Sequence, residues 1–439
     1  MMDRRSLLAA TSALLAAPVI APVIAPVVAQ PRRSDGFPAD FLWGAATAGH
    51  QIEGNDTNSD FWLLENIKPT IFAEPVGDAC NSLELWTRDL DLAKAIGLNS
   101  YRFSIEWSRI EPVAGQFSIA LLDHYKAIIA GCHTRGLQPV VTFSHWAVPI
   151  WFAARGGWTN PESPQLFARY CDRAARHLGD GIARAVTLNE PNGLLIAAAM
   201  VPPQAIMAQQ PMLAEAARVT GSQRFVGGPA FGSARETLPN LIKAHRAGFA
   251  AIKSARTTLP VGFSLAIVDE QAVGETALRD AKRQEFYGPW LETARQDDFV
   301  GIQNYSRNQW DATGLVALPA TAKRDQIGNE TYPASLANCA RYVHAATGKP
   351  IFVTEHGIAT EDDRDRVALI PAALAELKRA IDEGVPVIGY LHWSLIDNFE
   401  WVSGYRPKYG LATVDRTTFR RVPKPSAAVL GAIARRNAL

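Results

Sequence analysis

From Phe37 onward the chain repeats one pattern, a short continuous apolar run followed by a longer stretch with helical periodicity. Eight such runs stand out: Phe41–Ala48, Ser100–Trp107, Gln138–Trp146, Ala185–Pro191, Pro260–Asp269, Phe299–Ser306, Pro350–Gly357 and Val387–Leu395. Most are unbroken apolar segments rather than alternating ones, which is how strands buried on both faces read. The stretches between them predict helices over Leu85–Ile96, Ile119–Thr134, Gln165–Leu178 and Pro371–Asp382, with Gly97, Gly136, Gly179 and Gly384 just beyond them. Glycine in that place stops a helix. Strand alternating with helix eight times predicts one parallel (β/α)₈ TIM barrel over residues 37–439, a single α/β domain. Two stretches break the rhythm. Ala197–Gln223, with Pro202-Pro203 and many Ala, Met and Gln residues, reads as a long loop carrying a helix after the fourth strand. Gln309–Tyr332 is polar and irregular, a long loop after the sixth. In a barrel, loops on that side frame the active site.

Chemistry enters at two strand ends. The fourth run closes Thr187-Leu188-Asn189-Glu190-Pro191, and the seventh closes Val353-Thr354-Glu355-His356-Gly357. Each puts a glutamate where apolar strand gives way to loop, on the rim where barrels carry catalysis. One rim glutamate alone would read as an ion-pair partner. Two on roughly opposite strands can face each other across the mouth, and facing carboxylates can cleave a glycosidic bond. A separation of about 5–5.5 Å suits the retaining mechanism. Trp43, Trp107, Trp146, Trp393 and Trp401 all fall at or near strand ends. For Trp43 and Trp107 a core role is as good a reading as a functional one. Trp146, Trp393 and Trp401 stand beside polar rim residues and read as packing the C–H face of a sugar.

Composition narrows the partners. Lys plus Arg number 44 against 43 Asp plus Glu, so nothing advertises nucleic acid or an anionic membrane. The first residues are different in kind. Arg4-Arg5 precedes an apolar run from Leu7 to Ala29, which ends in a small residue. Residues 1–29 therefore read as a twin-arginine export signal, placing the mature protein in the periplasm or outside the cell, with no stable membrane association after cleavage. An uncleaved anchor is the competing reading, because the run is nearly long enough to span a bilayer. Cys80, Cys132, Cys171 and Cys339 lack metal-type spacing. Cys132 and Cys171 fall in successive predicted helices and could pair, although isolated buried thiols are the simpler expectation. No metal or cofactor is expected, because carboxylate chemistry is self-sufficient.

These strand ends carry a specific likeness. Phe41-Leu42-Trp43-Gly44-Ala45-Ala46-Thr47-Ala48 with Gln51-Ile52-Glu53-Gly54, Tyr101–Ile110, Thr187–Pro191, Thr354–Gly357 and Trp393–Trp401 occur in order on successive strands. In this the chain resembles the family 1 glycoside hydrolases, the β-glucosidase and β-galactosidase family, from Phe37 to the C-terminus. The resemblance implies Glu355 as nucleophile and Glu190 as acid/base. It implies Gln51, His145, Asn189, Glu400 and Trp401 as sugar-binding residues, Trp393 as a stacking floor, and Arg102 and Tyr305 as contacts of the nucleophile. It further implies a small β-glycoside as substrate, bound in an exo-acting pocket that Gln51 and Glu400 close. Members that cleave 6-phosphorylated sugars carry Ser at the Glu400 position; a carboxylate there would repel phosphate.

Departures from the family pattern are informative. Gln303 replaces an asparagine near the innermost subsite, Ala147 an aspartate, and His356 an asparagine. Asn192 stands where a bulky residue is common, and Asn329 where a tryptophan usually walls the leaving-group site. Ser403 and Lys408 superficially echo a phosphate clamp, with a solvated loop the simpler reading. Two other functions stay open beside hydrolysis: transglycosylation through the same intermediate, and non-hydrolytic sugar binding, which usually accompanies loss of one glutamate. Oligomeric state is not legible.

Overall fold

A computed structural model describes residues 36–200 and 203–439; the expected export signal at residues 1–29 lies outside the described residues. All eight predicted strands form. They are β1 Leu42–Ala46, β2 Ser100–Ser104, β3 Gln138–Ser144, β4 Arg184–Asn189, β5 Val261–Ala266, β6 Val300–Asn304, β7 Ile351–His356 and β8 Val387–Trp393. Each pairs in parallel with its sequence neighbours, and β1 pairs with β8 to close the barrel. A helix follows every strand: Ser82–Ile96, Ile119–Thr134, Ser163–Leu178, Ala234–Ala255, Ala277–Ala294, Ser335–Thr347, Asp363–Asp382 and Pro425–Arg436.

The helix starts differ from the sequence expectation in an instructive way. The seventh begins at Asp363, not Pro371, because the Asp362 carboxylate accepts from the Arg364 amide and caps the exposed N–H groups. Pro371 lies inside the helix, where it removes one backbone bond without ending it. Ala197–Gln223 is more ordered than predicted. Helices occupy Gly193–Met200, Pro203–Met207 and Gln209–Thr220, so the region holds three helices where one was expected. After β6 the chain forms a short strand, Arg307–Trp310, paired in parallel with Asp269–Ala272, before the irregular loop begins.

Leu42, Val140, Val186, Phe352 and Leu391 come from five different strands and form one buried cluster, which therefore fills the barrel interior. Trp393 and Tyr409 belong to the same cluster, so the packed interior is also the floor of the rim site. Trp43 and Trp107 prove to be core residues. Trp107 stacks on Tyr170 at 5.1 Å and donates to Glu111. Trp43 donates its indole N–H to Asn437 Oδ1 at 2.8 Å, and the Asn437 amide returns a bond to the Phe37 carbonyl. The two ends of the domain are thus stitched together. Asn437→Ala should leave the buried indole N–H unpaired and destabilise the domain by about 1–3 kcal/mol in urea unfolding; an unchanged midpoint would mean that this stitch contributes nothing. Cys80, Cys132, Cys171 and Cys339 are all buried free thiols, so Cys132 and Cys171 do not pair.

Candidate active site

Glu355 is buried near the end of β7, and Glu190 follows directly after β4. Glu190, Trp146 and Trp401 all have positive φ, at 42°, 69° and 53°. That backbone region is disfavoured for side chains of this size, and such strain gathers where a structure must aim a functional group.

The two carboxyls have unlike surroundings. Glu355 Oε1 accepts from Arg102 Nη1 at 2.6 Å and from Gln303 Nε2 at 2.8 Å, while Oε2 accepts from the Tyr305 hydroxyl at 2.7 Å. Arg102 is fully buried, and every nitrogen is engaged: Nε with Thr142 Oγ1, Nη1 also with the Thr354 carbonyl, Nη2 with Asn189 Oδ1. Among the described residues no protein group donates to the Glu190 carboxyl. Burial pushes both pKa values up. At Glu355, Arg102 and then the Tyr305 hydroxyl pull against burial. At Glu190, the negative charge of Glu355 adds to burial and only Arg102 opposes, so the pKa rises to about 8. Of the pair, Glu190 holds the proton and Glu355 the charge.

Asn189 shows how closely the site is specified. Its Oδ1 accepts from both Arg102 and Gln303, at 2.6 and 2.7 Å, which fixes the amide orientation. Its Nδ2 is then the donor toward His145 Nε2, 3.1 Å away. The histidine proton must sit on Nδ1. Burial, and then the Arg102 charge, lower the His145 pKa well below the usual value, so this ring is neutral. Among the described residues its Nδ1–H has no partner. The same is true of Gln51 Oε1, Trp146 Nε1, Gln303 Oε1 and Glu400 Oε1. Each unpaired buried polar atom costs about 1–3 kcal/mol. Five of them belong to residues in or beside this rim site.

An open cavity of about 300 Å³ lies above. Glu190, Glu355, Tyr305, Trp393, Glu400 and Trp401 line it, with Tyr409 and Asn329. His145 packs between Trp393 and Trp401 in near-parallel stacks, and Trp146 lies against Trp401 at 4.8 Å. Gln51 is held by Asn398 and the Phe399 carbonyl on the loop that carries Glu400. Burial pushes the Glu400 carboxyl well above the usual range, with Trp393 opposing and Glu355 adding to the rise.

The residues that the resemblance implies for catalysis and sugar binding thus lie together at this rim, whereas Trp43 and Trp107 do not. Gln303 and Tyr409 were missed as site residues. Gln303 was visible only as a departure from pattern, yet it bridges Asn189 and Glu355. Tyr409 gave no signal, because it lies beyond the last barrel strand. Asn329 lines the cavity, and two other departures are structural. Asn192 clamps the Ala266 backbone through both its amide atoms, tying the Glu190 loop to β5. His356 bonds Tyr390 beneath the strand ends. Lys408 donates to the Tyr405 carbonyl within its own loop, whereas Ser403 lines the cavity.

Comparison with known proteins identifies the family. The profile of Glycosyl hydrolase family 1 matches residues 33–216 and 291–439. β-Glucosidase A of Thermotoga maritima is 29% identical over 92% of this chain and 98% of its own. A β-glucosidase of Agrobacterium sp. is 30% identical over 91% and 95%. The crystal structure of the β-glycosidase BGL167 superposes with a TM-score of 0.87 at 44% identity, covering 92% of this chain and 98% of that one. With its closed eight-stranded barrel and a carboxylate at the ends of β4 and β7, the chain belongs to glycosyl hydrolase family 1 and is a glycoside hydrolase.

Proposed function

We propose that this enzyme is a retaining, exo-acting β-glycosidase whose preferred glycone is glucose, with Glu355 as nucleophile and Glu190 as acid/base. The observation that carries the proposal is the unlike pair. One carboxyl accepts three hydrogen bonds and faces a buried arginine; the other has no donor among the described residues and a pKa raised to about 8. Glu355 attacks the anomeric carbon while Glu190 gives its proton to the leaving oxygen. Once Glu355 is esterified its charge is gone. The main charge raising Glu190 goes with it, and Glu190 can then take a proton from the incoming water. Asn189 keeps one amide N–H for a sugar hydroxyl beside the reacting centre. Gln51 Oε1 and Glu400 Oε1 offer acceptor positions to outer hydroxyls, and both relatives above bear the name β-glucosidase. Export through residues 1–29 belongs to the same proposal and rests on the sequence; N-terminal sequencing of the mature protein tests it, and a chain still beginning at Met1 would reject cleavage.

The leaving-group side departs from a sugar-binding surface. Ile327 and Val402 are 47% and 44% exposed and line the cavity together with Pro407 and the polar Asn329 and Ser403. Asp325 accepts from the Asn329 backbone and holds its loop in shape. Such a rim suits an apolar aglycone better than a second hexose. On a panel of nitrophenyl β-glycosides, wild type should be fastest on the glucoside, and Glu355→Gln should be silent. Aryl and alkyl glucosides should exceed cellobiose in kcat/KM, and Ile327→Ser should narrow that gap about three- to tenfold. Silence of folded wild type on every β-glycoside would sink the hydrolase mechanism proposed here. Cellobiose as the best substrate would sink the aglycone assignment alone.

A further inference from the structure

Behind the Trp401 wall lies a buried pair that the reaction itself does not use. His50 sits on the short helix Gly49–Glu53, next to Gln51, and is 2% exposed. Its Nε2 is 2.9 Å from Glu65 Oε1, and its Nδ1 is 3.3 Å from the Ser59 hydroxyl. The other Glu65 oxygen accepts from the Val76 amide at 2.9 Å. Both ring nitrogens are thereby held, and the imidazole cannot turn. Its plane lies within 3° of the Trp401 indole, with centroids 5.8 Å apart.

Trp401 needs such support. Its backbone is in the left-handed region, where local preference does not hold it. Among the described residues no hydrogen bond holds its indole. What fixes the ring is other rings: His50 and Phe61, and then His145 and Trp146.

We propose that His50, locked by Glu65 and Ser59, is a positioning residue that sets the Trp401 indole as a wall of the sugar pocket. This rests on the reading of that pocket as a glycone site. The surrounding charges favour a cation at His50. Burial works against the charged ring, but Glu65, then Asp56 and Glu106, outweigh it and raise the pKa above the usual 6.5. Asp60 faces it from the same helix as Glu65. An imidazolium parallel to an indole adds cation–π attraction to the packing. On deprotonation Nε2–H still donates to Glu65, and Ser59 can turn its hydroxyl to donate to Nδ1. The ring therefore stays in place while its charge changes.

His50→Phe alone would leave Glu65 buried and unpaired, so the test uses His50→Phe/Glu65→Gln, which keeps a ring and removes both charges. A wall that acts equally on bound substrate and transition state changes KM and not kcat. The double variant should raise KM for nitrophenyl β-glucoside about tenfold, with kcat changed less than about twofold. Calorimetry with 1-deoxynojirimycin should show the same loss of affinity without turnover, so failed hydrolysis and failed positioning give separate results. Imidazolium quenches a neighbouring indole. The emission difference between wild type and Trp401→Phe should therefore rise as pH passes above 6.5 through the His50 titration, and the double variant should not titrate. Unchanged KM and inhibitor affinity in a folded double variant would overturn the proposal. So would a Trp401 titration that persists without His50.

Discussion

Glu355→Gln should reduce kcat on nitrophenyl β-glucoside on the order of 10⁵-fold, about 7 kcal/mol of lost transition-state stabilisation. The size follows from what the residue does. In the proposed mechanism it supplies the bond-forming atom, and the amide that replaces it is not a nucleophile. The fold should survive, because glutamine keeps an oxygen for the Arg102 and Gln303 donors that now converge on Oε1. Glu355→Gly is the harsher companion. It strands Arg102 as a buried cation, a change that costs about 3–5 kcal/mol of stability. It also opens space beside the anomeric carbon. Azide should fill that space and attack from the face Glu355 occupied, giving the α-glucosyl azide from a β-glucoside. Wild type should release β-glucose first. More than about one per cent residual activity in Glu355→Gln, or α-glucose as the first wild-type product, would remove Glu355 from the nucleophile role.

The barrel was legible because its strands are buried on both faces, which writes them as unbroken apolar runs. The carboxylates were legible because a charge at the end of such a run is conspicuous. Other parts wrote no such mark. Gln303 looks like one more polar residue near a strand end, and its bridging role depends on β6 lying beside β7 in space. Tyr409 reaches the cavity from a loop whose path periodicity cannot trace. The three helices after β4 went undercounted because Gly193–Met200 is apolar throughout and shows no amphipathic period. Trp43 and Trp107 sit at strand ends like Trp146, Trp393 and Trp401. Only their partners, Asn437 and Glu111, distinguish core from site.

β5 makes the opposite point. It lies within residues 217–290, which the family profile does not match, yet it forms between β4 and β6 as the barrel requires. None of the residues assigned to the carboxylate cluster lies on it. What β5 supplies is backbone: the Ser264 carbonyl accepts from the Glu190 amide, and the Ala266 peptide is clamped by Asn192. Backbone contacts constrain the position of a strand far more than the identity of its side chains. A strand can therefore support Glu190 while carrying little recognisable sequence.

Glu190→Gln should show a loss that depends on the leaving group. With an alkyl β-glucoside, whose alkoxide leaves poorly, kcat/KM should fall about 10³- to 10⁴-fold, because proton donation is then essential. With a dinitrophenyl glucoside, whose phenolate leaves unaided, glycosylation should slow less than about tenfold and breakdown of the glycosyl-enzyme should become limiting. Azide, needing no base, should accelerate that breakdown and yield the β-azide. The pH profile tests the same residue independently. Glu190 must enter protonated, so wild-type kcat/KM should decline as pH rises through about 8, and the decline should be absent from the variant on the activated substrate. Stability carries the matching sign. The folded pKa lies above the ordinary 4.5, so between 4.5 and about 8 the folded state retains a proton that the unfolded chain has released. Stability then falls with rising pH across that window, and the penalty is absent below it. Glu190→Gln removes the penalty and should raise Tm more at pH 8 than at pH 4.5. A Tm difference independent of pH would show that Glu190 ionises normally in the fold, and the assignment of the acid would fail with it.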